Sequence, residues 1–459
     1  MYKIVNKITI LILSLCMIFS LSGCTKTDKE TQEPVEKGET ESTEPVVSTI
    51  NKDELKANIV KSDWIVVDTR DNNAFNGWAM DGVERGGHID GAVDFSANWL
   101  KVDVDNKEQI LSDTLNAKGI TSDKNIVLYD ANGVDASEVA EYLKSNGFTN
   151  IFTFDVNEWA KDETLSMVSY PNYEYIVPAS WVNQLIKGEK PETYENDKFK
   201  IFEVSWGEPS EDYIKSHIEG AVHINTDEVE VGPIWNRLSD EELEQFALNN
   251  GITNDTTVIL YCNDLSSMPA YRVGAILKYV GVEDVRILNG GFQSWTRANY
   301  DVSEGNVEKT AVESFGIQTP AHPEYIIDMK EAKEILANPD TSQLVSVRSW
   351  EEYIGETPGY SDITIAGRIP GDYWGQDIGS YVNIDGTMRN FDEVLSLWKE
   401  WNVDKDKYLA FYCGTGWRVA EALYYSRVAG LENTALFDGG WYEWIADTTN
   451  PIETGVPNK

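Results

Sequence analysis

A short loop near the end of the chain combines a thiol with a cation. Residues 408–418 read YLAFYCGTGWR, so an apolar run ends at Cys413 and Arg418 follows it five positions later. Cysteine attacks as a thiolate, and an adjacent cation or a helix start favours that anion. Gly414 and Gly416 can adopt positive φ angles, which would turn successive N–H groups inward around an anion. The loop therefore predicts a nucleophilic Cys413, although a lone cysteine is more often structural.

The size of the loop separates two kinds of thiol chemistry. Four residues lie between Cys413 and Arg418. Cysteine phosphatases use a longer loop, which encloses a whole phosphate. The shorter loop here suits a single sulfur atom, such as the outer atom of a persulfide. The spacing favours sulfur transfer over phosphate hydrolysis, and a phosphatase is the weaker alternative.

The elements that must position this loop occur three times in the chain. Each copy has an apolar strand with a polar turn, a second strand after a glycine turn, a buried strand, a helix, and a last strand that leads into a tryptophan segment. The buried strands lie in 125–133, 257–265 and 408–416. Continuous apolar strands that alternate with helices are typical of a parallel sheet covered on both faces. The sequence therefore predicts an α/β fold of three such domains, at residues 50–165, 175–303 and 322–459.

These motifs resemble the rhodanese family. The first copy carries VDTR at 67–70 and GHIDGA at 87–92, and the third carries the cysteine loop followed by GGWYEW at 439–444. Three copies in series resemble the extended, three-domain rhodanese-type sulfurtransferases, over residues from about 50 to 459. The resemblance implies that Cys413 takes a sulfane sulfur from thiosulfate or 3-mercaptopyruvate. The persulfide would then pass its sulfur to cyanide, a thiol or a protein, with no metal or organic cofactor.

The three copies differ at the position of the thiol. Copy one has Asp130 there and lacks a sulfur nucleophile. Copy two has Cys262 in a longer, glycine-free loop that contains Pro269, which predicts a structural or vestigial role. We therefore expect copy three alone to be catalytic, with copy two packed against it as a wall of the cleft, since binding sites favour domain interfaces. A disulfide between Cys262 and Cys413 is a less favoured alternative.

Several further residues are candidates for binding the donor or the persulfide. Thr415 is expected to donate a hydrogen bond inside the loop, and Trp417 to wall the pocket or seat a partner. Arg348 would either contact an anionic donor or pair with Glu351 or Glu352. Ser346 replaces the acid that the family usually has two residues before this arginine. Arg368 stands where the other copies have histidine, and would either bind substrate or lie at the surface.

The first residues of the chain form a targeting segment. Lys3 and Lys7 precede an apolar run over 8–21, which is too short for a comfortable transmembrane helix. The run ends in LSGC, which resembles a bacterial lipobox with Cys24 as the lipidated residue. An ordinary secretory signal is the alternative. The sequence thus predicts a signal peptide over 1–23, a flexible polar tether over 24–49, and a protein anchored to the cell membrane on its extracytoplasmic side.

The overall charge excludes one class of partner. The formal net charge is -39, so phosphates would be repelled and nucleic acid is not expected as a partner. A non-catalytic scaffold of degenerate rhodanese repeats is the alternative to an enzyme. Copies one and two fit that alternative, whereas the Cys413 loop does not.

Overall fold

The computed structural model describes residues 47–263, 267–361 and 363–457. The predicted signal peptide, Cys24 and most of the predicted tether lie outside these ranges. Ser48–Thr49, which the prediction assigned to the tether, instead pairs with the strand Ile151–Asp155, so the folded body begins before residue 50. Within the described ranges, the helices are all too short or too polar to cross a bilayer.

Copy one begins the body. Its strands are β1 (Ser48–Thr49), β2 (Trp64–Asp68), β3 (His88–Ile89), β4 (Val93–Asp94), β5 (Asn125–Asp130), β6 (Ile151–Asp155) and β7 (Met167–Val168). Its helices are α1 (Lys52–Asn58), α2 (Asn72–Asn76), α3 (Lys107–Ala117), α4 (Val134–Ser145) and α5 (Val156–Ala160).

Copy two follows with β8 (Ile176–Val177), β9 (Phe199–Ser205), β10 (His217–Ile218), β11 (Val222–Asn225), β12 (Glu230–Val231), β13 (Asn236–Arg237), β14 (Thr257–Tyr261), β15 (Asp284–Leu288) and β16 (Val302–Ser303). Its helices are α6 (Ala179–Ile186), α7 (Glu211–Lys215), α8 (Asp240–Asn249), α9 (Met268–Val280) and α10 (Gly291–Arg297).

Copy three contains β17 (Ile326–Ile327), β18 (Ser342–Ser346), β19 (Tyr373–Trp374), β20 (Tyr408–Tyr412) and β21 (Thr434–Phe437). Its helices are α11 (Met329–Leu336), α12 (Trp350–Ile354), α13 (Phe391–Glu400), α14 (Trp417–Val428) and α15 (Gly440–Ala446).

The three main sheets share one topology. Their strand orders are β1-β6-β5-β2-β4, β8-β15-β14-β9-β11 and β17-β21-β20-β18-β19, and the pairs within them are parallel. In each sheet the third strand in this order ends at Asp130 or directly before Cys262 or Cys413, and a helix follows it. The predicted fold class, three parallel sheets flanked by helices, is confirmed.

Copies two and three share one hydrophobic core. Helices α9 and α14, which follow the two cysteine positions, pack against each other through Tyr271, whose ring lies 5.4 Å from that of Tyr424 and 5.3 Å from that of Tyr425. Both Cys262 and Cys413 belong to this core. The expectation that copy two packs against copy three is confirmed.

Candidate functional site

The thiol of Cys413 lies at the turn between β20 and α14. The residue is fully buried, and α14 begins four positions later with Gly416 as its N-cap in the left-handed region, at a φ of 91°. Gly414 does not have a positive φ, contrary to the expectation for both glycines. A Cβ atom at Gly414 would instead stand 2.1 Å from the Tyr360 ring, so a close approach requires this glycine.

The first turn of α15 fixes the backbone of the loop. The Trp441 N–H donates to the Cys413 carbonyl at 2.8 Å, and the Tyr442 N–H donates to the Gly414 carbonyl at 3.0 Å. Gly440 has a φ of 52°, and a Cβ atom there would lie 2.5 Å from the Cys413 oxygen. Because these bonds engage the loop carbonyls, the peptide planes of the loop are held in a defined orientation around the thiol.

Arg418 is paired rather than isolated. Its guanidinium donates to Glu352 through Nη1 to Oε2 at 2.6 Å and through Nη2 to Oε1 at 2.9 Å, the bidentate geometry that carboxylates favour. Burial opposes ionisation of Glu352, but the hydrogen bonds and charge of Arg418 outweigh it and lower the Glu352 pKa. The Tyr360 ring covers the same guanidinium at 5.1 Å. The expected fixed cation is therefore neutralised by a carboxylate.

Tyr360 stands between the loop and solvent. Its ring contacts both Gly414 and Arg418, as described above. Burial raises the pKa of Tyr360 to about 12, and a negative charge on Cys413 is the second contribution in the same direction. Tyr360 therefore packs on both Gly414 and Arg418 of the cysteine loop.

Two predicted donor-binding arginines belong to the framework of copy three. Arg348 is fully buried, donates through Nη1 to the Gly367 carbonyl at 2.7 Å, and has its Nε 3.8 Å from Glu352. Of the two alternatives for Arg348, these contacts agree with the pairing to Glu352. Arg368 donates to the Gly455 carbonyl at 2.5 Å and to Glu453 at 3.1 Å. Arg368 is therefore buried rather than a surface residue, and the C-terminal segment binds its guanidinium.

A carboxylate from elsewhere compensates for Ser346. In copy one, the Tyr129 hydroxyl donates to Asp68 on β2 at 2.8 Å. In copy three, the equivalent Tyr412 hydroxyl donates to Asp372, which also accepts from Tyr353 at 3.1 Å. Burial raises the pKa of Asp372 to about 7. The acid is thus retained in copy three at a position that the family motif does not predict.

An aromatic pocket opens beside the cysteine loop. Its volume is about 650 Å³ including its mouth. Copies two and three both contribute to it, and the lining residues are Trp206, Glu230, Trp235, Tyr360, Ile363, Thr415, Trp417 and Tyr442. Copy two therefore forms one wall of the cleft, as expected. Of the residues predicted to bind the donor or the persulfide, Thr415 and Trp417 line this pocket, whereas Arg348 and Arg368 do not.

Glu230 is the acidic group of this pocket. It is almost fully buried, and its Oε1 accepts a hydrogen bond from the Trp417 indole N–H at 2.7 Å. Burial raises the Glu230 pKa to about 6, against the opposing charge of Arg272 and the Trp417 hydrogen bond. At neutral pH the pocket consequently holds a carboxylate among five aromatic rings.

The corresponding site of copy one is filled from within, whereas copy two retains a buried thiol. In copy one, the Asp130 carboxylate accepts from the N–H groups of Gly133 at 2.9 Å and Ala136 at 3.2 Å. It occupies the helix start that would otherwise be available to an anion. In copy two, Cys262 is buried in the shared core. Cys262 and Cys413, the cysteines of the described ranges, are both thiols and are not joined to each other.

Sequence reasoning missed Tyr360, Glu230 and Asp372. Tyr360 lies in an irregular segment of copy three, and Glu230 lies in an insertion of copy two that forms the hairpin of β12 and β13. Trp206, Trp235 and Trp417 lie far apart in the sequence and are brought together only by the fold, so the sequence carried no local signal for this pocket.

Comparison with known proteins agrees with this geometry. The Rhodanese-like domain profile matches residues 51–161, 179–298 and 328–447. The chain belongs to the rhodanese family. Thiosulfate sulfurtransferase YnjE of Escherichia coli (strain K12) is 39% identical over 400 residues, which cover 85% of this chain and 88% of that protein. Sulfur carrier protein TtuD of Thermus thermophilus is 30% identical, over 63% of this chain and 99% of that protein.

Solved structures also match most of the chain. Wild-type EanB superposes with a TM-score of 0.85 at 38% identity, over 90% of this chain and 99% of that one. An anaerobic ergothioneine biosynthesis enzyme from Chlorobium limicola, in complex with its natural substrate trimethyl histidine, gives a TM-score of 0.84 at 38% identity, over 90% and 100% of the two chains. Together with the sulfurtransferase relatives, these matches identify this rhodanese as a sulfurtransferase.

The contact between Gly414 and Tyr360 yields a prediction. Gly414→Ala places a methyl group where the Tyr360 ring lies, so either the ring or the loop must move. Because small displacements of reacting groups are costly, we expect sulfurtransferase activity to fall by about 10- to 100-fold. The release of thiocyanate from thiosulfate and cyanide measures this activity. Gly379→Ala, at an exposed glycine of copy three, is the control and should stay within about twofold of wild type. Near-normal activity of Gly414→Ala would show that Tyr360 is free to move.

Proposed function

We propose that Cys413 carries sulfane sulfur as a persulfide. The Cys413 thiolate attacks the outer sulfur of a donor such as thiosulfate, a new S–S bond forms, the donor S–S bond breaks, and sulfite leaves with its electron pair. With 3-mercaptopyruvate, the C–S bond breaks and pyruvate leaves after it takes a proton. The support for this step is the position of Cys413 at a helix start, in a loop whose carbonyls are engaged by α15.

We further propose that the acceptor is a small molecule with a quaternary ammonium group. The observation that carries this proposal is the aromatic pocket, in which five rings and Glu230 surround a space next to Thr415. Aromatic faces attract cations, and quaternary ammonium ions are recognised by cages of this kind.

The structural relatives favour the same acceptor class. EanB has been solved with hercynine and with ergothioneine, and in one case with a cysteine persulfide in a tetrahedral intermediate state with ergothioneine. Transfer to trimethyl histidine would replace a ring C–H bond by a C–S bond. The carbon is oxidised by two electrons, the sulfane sulfur is reduced, and Cys413 returns as a thiol with one proton. Cyanide, a thiol or a protein cysteine is the second candidate for the acceptor.

Loading of the persulfide is tested by mass spectrometry of the intact protein. After incubation with thiosulfate or 3-mercaptopyruvate, wild type and Cys262→Ser should each gain about 32 Da, the mass of one sulfur atom. Cys413→Ser should gain nothing and should produce no thiocyanate with cyanide. Loading that is lost in Cys262→Ser but retained in Cys413→Ser would overturn the assignment. Absence of loading in wild type with either donor would favour the scaffold alternative.

The acceptor class is tested by binding to Cys413→Ser, which cannot turn over. Trimethyl histidine should bind at least about tenfold more tightly than histidine, because the cage contacts the trimethylammonium group. Trp235→Ala in the same background should weaken trimethyl histidine binding by about 3- to 30-fold. Trp64→Phe in copy one is the control and should bind normally. Equal binding of the two compounds would refute a cationic acceptor.

We propose that the protein is a lipoprotein, anchored through Cys24 on the extracytoplasmic side of the bacterial cell membrane. The LSGC motif after the apolar run supports this location. In a bacterial host, the full chain should sediment with the membrane fraction, and Cys24→Ala should remain an unlipidated precursor. Identical mass and fractionation of the two proteins would contradict lipidation.

A further inference from the structure

An arginine of the inactive copy two lies directly beneath the active loop. The stretch Tyr271-Arg272-Val273 in α9 resembles Trp417-Arg418-Val419 at the start of α14 in sequence. Arg272 is the fifth residue of α9, however, whereas Arg418 is the second residue of α14. Its side chain is fully buried at the interface with copy three, where Nη2 lies 2.8 Å from the Asp438 carboxylate.

Arg272 contacts three parts of the neighbouring site. Its Nε donates to Glu230 Oε2 at 3.2 Å, and its Nη2 donates to the Trp235 carbonyl at 3.3 Å. A Cβ atom at Gly416 would lie 2.9 Å from Arg272 Nη1, so this nitrogen abuts the loop that follows Cys413. Nη1 has no hydrogen-bond partner among the described residues.

Further charges complete the network around Glu230. Asp438 accepts from the backbone N–H of Arg237 at 2.8 Å and from its Nη1 at 3.2 Å, and Arg237 also pairs with Asp328 at 2.6 Å. With all side chains ionised, three carboxylates and two guanidiniums leave one net negative charge. Glu230 is the carboxylate of this network that also lines the aromatic pocket.

We propose that Arg272 is a positioning residue of the copy-three site, where it holds the Glu230 carboxylate against the Trp417 indole and supports the loop at Gly416. The arginine of a degenerate copy thus acts on the working copy across the interface. The catalytic consequence rests on the proposed acceptor pocket. The hydrogen bond between Glu230 and Trp417, however, can be tested without any substrate.

The test is ¹⁹F NMR of protein labelled with 5-fluorotryptophan, with the Trp417 signal assigned by Trp417→Phe. Protonation of Glu230 removes the charge that Trp417 binds, so the wild-type signal should titrate near pH 6. The Arg272 charge favours the ionised form of Glu230. Arg272→Met should therefore move the midpoint to higher pH, by at least about one unit. Glu230→Gln should abolish the titration.

Arg286→Met is the matched control. Arg286 is also a buried arginine of copy two, but it pairs with Asp284 and lies over Trp181 rather than at the site. In Arg286→Met, the midpoint of the Trp417 titration should equal that of wild type. A Trp417 signal that is constant between about pH 5 and about pH 8, or one that titrates equally in wild type and Arg272→Met, would overturn the proposal.

Two measurements keep the result interpretable. If Arg272→Met does not fold, Arg272→Lys takes its place and should move the midpoint in the same direction, because a lysine ammonium lacks the fork that reaches both Glu230 and Asp438. An unchanged midpoint in Arg272→Lys, or a titration that persists in Glu230→Gln, would overturn the proposal. The pH profile of kcat/KM for trimethyl histidine should show an acidic limb that moves upward with the NMR midpoint. NMR midpoints that shift as expected, without any turnover of trimethyl histidine, would refute the acceptor and leave the role of Arg272 supported.

Discussion

The site depends on a strand that ends immediately beneath the start of a helix. In copy three, β20 ends at Tyr412 and α14 begins at Trp417, so the intervening backbone must reverse within a few residues. Positive φ at Gly416 permits that turn, and the first N–H groups of α15 hold its carbonyls. Copy one has the same geometry, but its helix start binds the Asp130 carboxylate. The same framework thus accommodates a carboxylate in copy one and a thiol in copies two and three.

The working site is divided between two copies of the repeat. Copy three provides the thiol, the Arg418–Glu352 pair and the Tyr360 phenol, whereas copy two provides Glu230 and tryptophans of the pocket wall. The packing of α9 against α14 fixes the relation between these parts, since both helices bury aromatic side chains in one core. Copy two is therefore part of the site, because it provides Trp206, Glu230 and Trp235 of the aromatic pocket.

Much of the architecture could be predicted from the sequence because it is encoded locally. The repeated strand and helix pattern predicted three parallel sheets, and the cysteine loop distinguished Cys413 from Cys262. Residues that act through long-range contacts could not be predicted in this way. Asp372 replaces a motif acid from a distant position, Arg368 is bound by the C-terminal segment, and Arg418 is neutralised by Glu352. Arg272 matched the repeat pattern, but its position beneath Gly416 depends on how two copies pack.

The central claim is that a Cys413 persulfide transfers its sulfur to a cationic acceptor in the aromatic pocket. The most direct measurement is rapid quench of persulfide-loaded protein, followed by its intact mass over time. On addition of trimethyl histidine, the account predicts loss of about 32 Da and appearance of ergothioneine, at least about tenfold faster than the sulfur loss caused by an equal concentration of histidine. Equal rates with the two compounds, or a persulfide that trimethyl histidine leaves intact while cyanide removes it, would contradict the account.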